Sequence, residues 1–353
     1  ATSATKLDWD AMARRDHNPH QRRLYLPIVQ TNGNGQDEHG GAIAAPERIS
    51  DTHSPHSVGS LQTMRPNGRR PEWLKVKAKT GPNYSDLKQI MRGLDLHTVC
   101  EEAACPNIFE CWEEREATFL VLGDKCTRRC GFCDVMTAKP DPVEEDEPLR
   151  IAQAVSAMGL RYVVLTGVAR DDLPDGGARI WAESVRAIRE AIPDCRVEVL
   201  PPDFKGDEDA IRTVLDAEPD VFAHNLETVR RLHKRIRPAF DYDRSLEVLQ
   251  VAKRIRPGIV TKSNLILGMG ERPEEVTEAM ADLREVECDL LTLGQYLQPT
   301  KLHLPVDRWV TPEEFARHAE TGMEMGFAHV EAGPLVRSSY HAGRQLSRAV
   351  ALR

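Results

Sequence analysis

The sequence predicts an α/β fold, a partial (β/α)6 barrel whose parallel strands carry the chemistry at one mouth. Three observations predict it. From residue 118 onward, short β-branched and apolar runs alternate with segments of helical period, the pattern of parallel βαβ units. Cysteines and other polar residues collect just after those runs, where parallel barrels hold their functional groups. At 353 residues the chain is long enough for one large barrel or two domains, and its 41% hydrophobic and 29% charged residues are ordinary for a globular protein.

Residues 1–70 differ in kind. GNGQDEHGGA, SDTHSPHSVGS and RPNGRRP are rich in Gly, Ser, Asn, His and Pro, and only residues 24–29 form an apolar cluster. Such sequence cannot bury enough surface to offset the entropy of ordering, which predicts a largely disordered extension. Its interleaved acids, among them Asp8, Asp10, Asp16, Asp37 and Glu38, argue against an import presequence. The irregular spacing of His17, His20, His39, His53 and His56 favours chance over a metal site.

Residues 71–117 begin the folded part, with a short helix over 84–92 capped by Ser85. Strands are expected over 119–122, 162–166, 196–200, 221–224, 260–267 and 290–296, with helices over 148–158, 178–191, 207–217, 243–255 and 273–287. These make a barrel at 118–300. A helix over 312–324, the run His329-Val330-Glu331 and a terminal helix from Ala342 form a C-terminal segment at 301–353.

Net charge is −8, so no general affinity for nucleic acid is expected, and no basic platform interleaved with aromatics for RNA occurs. No apolar run approaches the ~20 residues that span a bilayer. Clustered free cysteines fit a reducing compartment, and a cytoplasmic location is expected.

Six of the eight cysteines fall within residues 100–133. Cys100, Cys105 and Cys111 are separated by four and five residues, and Cys126, Cys130 and Cys133 by three and two. Each triplet is one thiolate short of a full set for a cubane iron–sulfur cluster. A cubane held this way keeps one iron open. The second triplet therefore suggests a cluster with a free iron in a loop after a strand. The first suggests a cluster whose remaining ligand comes from elsewhere. Disulfides, structural zinc and buried core cysteines compete with this reading. Disulfides belong to small secreted domains, zinc prefers paired Cys-x-x-Cys knuckles, and the polar, Gly- and Pro-containing surroundings disfavour a core. Cys195 and Cys288 stand alone near apolar runs and are expected to be core residues.

Cys126-x-x-x-Cys130-x-x-Cys133 after a strand, with the aromatic Phe132 before the last cysteine, resembles the signature of the radical S-adenosylmethionine (radical SAM) superfamily. The stretch HTVCEEAACPNIFECW at 97–112 and the block GPLVRSSYHAG near the C-terminus are similar to lipoyl synthases. This resemblance covers residues 70 to 345 and implies a partial TIM-type barrel of the radical SAM kind, with an N-terminal extension carrying a second cluster. It implies two [4Fe-4S] clusters and S-adenosylmethionine as cofactors. The implied activity is that of a sulfurtransferase that inserts sulfur at C6 and C8 of a protein-bound octanoyl-lysine, the auxiliary cluster being the sulfur donor.

By resemblance, Cys126, Cys130 and Cys133 hold the catalytic cluster, and Cys100, Cys105, Cys111 and a serine of Arg337-Ser338-Ser339-Tyr340 hold the auxiliary one. Ser339 is favoured, though no physical argument from the sequence separates it from Ser338. The loop after the second strand, with Thr166, Gly167, Arg170, Asp171 and Asp172, is implied to present polar groups to the methionyl end of the cofactor. Asn225 and Glu227 are expected to grip its ribose or methionyl end, or else to cap the helix that follows. Lys262, Arg337 and the run Arg230, Arg231, Lys234, Arg235 and Arg237 are candidates for meeting cofactor or an acidic carrier domain; solvated helix faces are the alternative. Implied partners are octanoylated lipoyl carrier domains, of a dehydrogenase-complex subunit or a glycine-cleavage H protein, an electron donor and an iron–sulfur carrier. An enzyme similar to biotin synthase is the nearest rival, but it lacks the auxiliary spacing and the RSSY motif.

Overall fold

The structure is a computed structural model, and it describes residues 70–75, 81–94, 96–102, 105–114 and 116–351. The expectation of a disordered extension thus falls, apart from Arg70, outside the described residues. Seven strands form one parallel sheet in sequence order. They are Thr118–Val121, Tyr162–Gly167, Arg196–Leu200, Val221–Ala223, Val260–Leu267, Leu290–Gln295 and His329–Gly333. The first six match the expected barrel. The seventh comes from the segment expected to lie beyond it: the short run at His329 pairs with the sixth strand from Leu290↔His329 to Gly294↔Gly333.

Side chains on a strand alternate between faces. On the outer face, Val163, Leu165, Val197, Val199 and Phe222 join Ile151, Val155, Trp181, Val185 and Ile211 of the flanking helices in one core cluster. A second cluster joins Leu265, Leu267, Leu291 and Leu293 to Leu246, Val276, Met280 and Phe315. At the base, Leu346 and Ala349 of the terminal helix Ala342–Ala351 close the barrel against Val221, Val260 and Leu290. Cys195 and Cys288 are 1% and 0% exposed, core residues as expected.

Helix starts follow local chemistry. Asp207 caps Glu208–Leu215, Asp241 caps Tyr242–Ile255, and Thr311 caps Pro312–Glu324, each side chain accepting from a first-turn N–H. The N-terminal helix Pro82–Gly93 is started instead by Pro82 behind Gly81. Ser85, expected as its cap, sits inside that helix and its hydroxyl donates back to Gly81 O at 3.3 Å. The helix expected after Glu227, with no bounds set from the sequence, is Arg230–Ile236. Among the described residues no helix is long and apolar enough to cross a membrane.

Candidate active site: two cysteine triplets at one barrel mouth

Cys126 ends a two-residue strand, Lys125–Cys126, that pairs with Met136–Thr137 and so closes the loop between them. The Cys126 Sγ accepts two main-chain N–H groups, Arg128 at 3.4 Å and Ala169 at 3.3 Å. Gly131 N–H donates to Ile236 O at 2.8 Å, and His303 Nε2 lies 2.9 Å from Cys133 O. Arg128 is buried inside the loop. Its guanidinium donates to Asp171 at 2.7 Å through both Nε and Nη2, and to the fully buried Asp203 at 2.6 Å through Nη1. These charge-assisted bonds fasten the loop to the ends of the second and third strands.

Burial pushes the Cys133 thiol up to about 12, and neighbouring Cys130 and Cys126 add to the shift. Burial also raises Cys130, against the pull of Arg237 beside it. Phe132 is half-buried and packs against the second core cluster.

The second triplet lies on short helices ahead of the barrel. Cys100 belongs to Val99–Glu102 and Cys111 to Ile108–Glu113, and Cys105 N–H donates to Cys100 O at 3.1 Å. Burial lifts Cys100 to about 12, with Cys105 adding to it. Burial raises Cys105 against the opposing charge of Arg337, and raises Cys111, which Cys100 and Cys105 raise further.

All eight cysteines are free thiols, which removes the disulfide reading. The zinc reading fails on distance. Ligands on one tetrahedral zinc at the usual bond length sit about 3.8 Å apart. Among the described residues, no set of three ligand atoms within 4.8 Å of one another contains a cysteine. Within each triplet the three sulfurs thus do not all lie within 4.8 Å of one another. A larger, positively charged metal core suits that spacing, so the residues fit an iron–sulfur cluster in each triplet.

The C-terminal segment joins the two triplets. Asn107, between Cys105 and Cys111, donates through Nδ2 to Leu335 O at 2.7 Å. Tyr340 reaches Glu110, and Arg344 reaches Glu114, both at 3.3 Å. In the other direction Ser338 Oγ donates to Asn225 Oδ1 at 3.3 Å. The segment crosses directly over the sixth strand: a Cβ on Gly294 would lie 2.0 Å from Val336 O, so only glycine fits.

At that mouth Asn225 and Asn264 donate to the two oxygens of Glu227, at 2.9 and 2.8 Å, and Thr292 donates to Asn264 Oδ1 at 2.8 Å. Burial raises the Glu227 carboxyl. Neither Asn225 nor Glu227 caps a helix, because the helix Arg230–Ile236 starts at Val229 without a side-chain cap.

Residues 120–283 match the family model of the radical SAM superfamily, and residues 51–105 match that of the N-terminal domain of lipoyl synthase. The lipoyl synthase of Nocardia farcinica is 56% identical over 313 residues, which cover 89% of this chain and 88% of that one. Those of Rubrobacter xylanophilus and Mycobacterium ulcerans are each 59% identical, covering 79% and 83% of this chain and 87% and 89% of theirs. The chain belongs to the lipoyl synthase family.

Several candidate residues named from the sequence stand where the structure gives them other work. Lys262 is fully buried in the barrel, with Nζ 3.0 and 3.2 Å from the Glu198 oxygens, while Tyr162 OH donates to Glu198 at 2.6 Å. It can meet neither a carrier domain nor a cofactor at the mouth; strand alternation turned it inward. Arg237 is also buried and donates to Asn225 O at 2.7 Å. Arg230 pairs with Asp243 and Asp282, and Arg231 with Glu275, so neither is a spare cation for a partner. Arg170 is spent on Asp172 and on Asp141 O, and Asp171 on Arg128 and Thr127. Their side chains pin the loop, leaving main-chain groups and Thr166 to face the mouth. Gly167 is set by packing, since a Cβ there would lie 2.5 Å from Trp181. Arg128 is the site residue that motif reading did not single out. The position of Arg128 between two of the cysteines was the available signal.

Proposed function

We propose that this chain is a sulfurtransferase that converts an octanoyl group on a lipoyl carrier domain to the lipoyl group, by radical SAM chemistry at the first triplet and sulfur transfer from the second. The observation that carries the reading is the C-terminal segment. Asn107 holds it at the auxiliary triplet, Ser338 holds it at Asn225, and one stretch of chain thus ties both sites to one mouth. A carbon radical formed beside one cluster needs the other within reach.

Cys126, Cys130 and Cys133 would hold a [4Fe-4S] cluster and leave its fourth iron for S-adenosylmethionine. When bound, these groups supply the oxidising radical that takes hydrogen from C6 and C8, and the auxiliary cluster supplies the sulfur. The protein's share is placement. Arg128 fixes the loop, the Asn225–Glu227–Asn264 set offers buried acceptors and donors for the polar half of the cofactor, and the covering segment keeps water out.

Ser339 is the better candidate for the remaining auxiliary ligand. Ser338 is committed to Asn225, whereas among the described residues the Ser339 hydroxyl has no hydrogen-bond partner. A serinate is a harder, more weakly held ligand than a thiolate, suited to a cluster that is dismantled. A cytoplasmic setting agrees with eight free cysteines. Carrier domains of a dehydrogenase-complex subunit and of a glycine-cleavage H protein are both candidate substrates.

The test is anaerobic turnover of an octanoyl-lysyl peptide by the reconstituted protein with dithionite and S-adenosylmethionine. Lipoyl peptide is the expected product. Formation of 5′-deoxyadenosine without any sulfur-containing peptide would overturn the assignment. Ser339→Ala should lower lipoyl yield while cofactor cleavage persists, and Ser338→Ala should alter cofactor cleavage instead.

A further inference from the structure

The face of the Cys126–Cys133 loop turned to solvent differs from the rest of this chain. Arg129, between Cys126 and Cys130, is exposed, as is Lys139, one residue after the Ala138 N–H that donates to Cys126 O at 3.2 Å. The turn at 300–303 rests on the same loop, through His303 on Cys133 O and Leu304 N–H on Gly131 O at 3.1 Å, and it puts Lys301 and Leu302 outside. Leu302 is 86% exposed and Met136, opposite Lys125 in the short ladder, is 48% exposed.

Among the described residues Arg129, Lys139 and Lys301 have no acidic partner, although the chain carries a net charge of −8 and arginines elsewhere, such as Arg189, Arg196, Arg230 and Arg231, are paired. The nearby acids are accounted for: Asp141 pairs with Lys125, and Asp134 lies 3.9 Å from His303. Two exposed large apolar side chains and three unpaired cations, all on elements bonded to one loop of an acidic protein, make a small docking surface with a sign.

We propose that Arg129, Lys139, Lys301, Leu302 and Met136 form the docking surface for a small acidic one-electron carrier protein that reduces the cluster held by Cys126, Cys130 and Cys133. The proposal rests on the assignment of that cluster. Three observations support it. Every element of the surface is bonded to the cysteine loop, so a bound carrier lies against that loop on its solvent side. Electron tunnelling weakens steeply with distance, which makes that side the short route. Free cations steer an acidic carrier to this place, while the net charge elsewhere repels it. The step itself is one electron: the carrier's reduced flavin loses it and the oxidised cluster gains it, with no bond made or broken in this chain.

The probe is reduced flavodoxin, an acidic flavoprotein, mixed with the holoenzyme. Two readouts are taken: its binding affinity, and the rate of flavin oxidation in stopped flow, each at several salt concentrations. The triple variant Arg129→Glu/Lys139→Glu/Lys301→Glu should bind and oxidise flavodoxin about tenfold more slowly or worse, with the salt dependence flattened. Leu302→Ser should weaken binding without changing that salt dependence. Dithionite needs no docking surface, so dithionite-driven 5′-deoxyadenosine formation should match wild type in every variant; in wild type that rate also reports the cluster assignment separately. Unchanged flavodoxin kinetics in the triple variant would overturn the proposal. So would an equal loss with dithionite, which would make the surface merely structural. A loss confined to dithionite-driven turnover of an octanoylated carrier domain, with octanoyl peptide unaffected, would assign the surface to the substrate carrier instead.

Discussion

Around Cys126, Cys130 and Cys133 the loop is tied to the barrel by buried charge: Arg128 spans Asp171 and Asp203, and main-chain N–H groups reach the Cys126 sulfur. Around Cys100, Cys105 and Cys111 the frame has no buried ion pair among the described residues. Leu120 N–H donates to His97 O at 2.9 Å and Trp112 packs in the main core, while the ties to the C-terminal segment are one amide on Leu335 O and side-chain pairs at the surface, Tyr340–Glu110 and Arg344–Glu114. Exposed pairs of that kind are worth about 0–1 kcal/mol each, whereas removing one partner of a buried pair costs about 3–5 kcal/mol. A cluster that must survive each turnover suits the first kind of frame. A cluster that gives up its sulfur and must be rebuilt suits the second, which can loosen without unfolding the barrel.

The comparison breaks first at Arg128. Arg128→Met leaves the buried Asp203 with only Arg244, 3.7 Å away, as a cation, and the protein should lose up to about 3–5 kcal/mol of stability in denaturant unfolding, together with iron at the first site. Lys262→Met, which strands Glu198, should cost a similar amount while both clusters remain, as iron and sulfide analysis would show. Equal iron loss from both variants would mean that the frame of the first site is no more than general barrel stability.

Asn107→Ala probes the weaker frame. Loss of its bond to Leu335 O should cost about 1 kcal/mol and release the C-terminal segment, seen as faster proteolysis near residues 335–341. The smallest effect is far from either site. Hydrogen bonds from the Arg231 guanidinium hold the Glu275 carboxyl down to about 2, against its ordinary value of 4.5. Its folded pKa being the lower one, that stabilisation is complete above 4.5 and fades as the pH falls toward 2. Glu275→Gln should therefore lower stability at pH 7 and flatten the acid limb of unfolding between those values.

Much of this architecture was legible because it is periodic or because ligands need fixed spacing. The helix at 178–191 and the strand at 260–267 have the expected bounds, the helix from its apolar stripe and the strand from its apolar ends, Val260 and Leu265-Ile266-Leu267. The cysteine spacings named both triplets. What periodicity cannot show is which polar residue on a strand faces a barrel interior: Lys262 looked like a cation for a partner and is an internal ion pair. Nor could sequence separate Ser338 from Ser339; the proposed choice of Ser339 rests on the position of Asn225, more than a hundred residues away. The seventh strand was read only as a short run because its sequence, HVEAG, is half polar, its polar residues facing the barrel interior.

The central claim is that radical generation and sulfur supply belong to different triplets, and Cys105→Ala tests it most directly. The variant, reconstituted and assayed anaerobically with octanoyl-lysyl peptide, should still form 5′-deoxyadenosine and release no thiolated or lipoyl peptide; Cys126→Ala, assayed beside it, should form neither. Lipoyl peptide from Cys105→Ala at the wild-type yield would contradict the account.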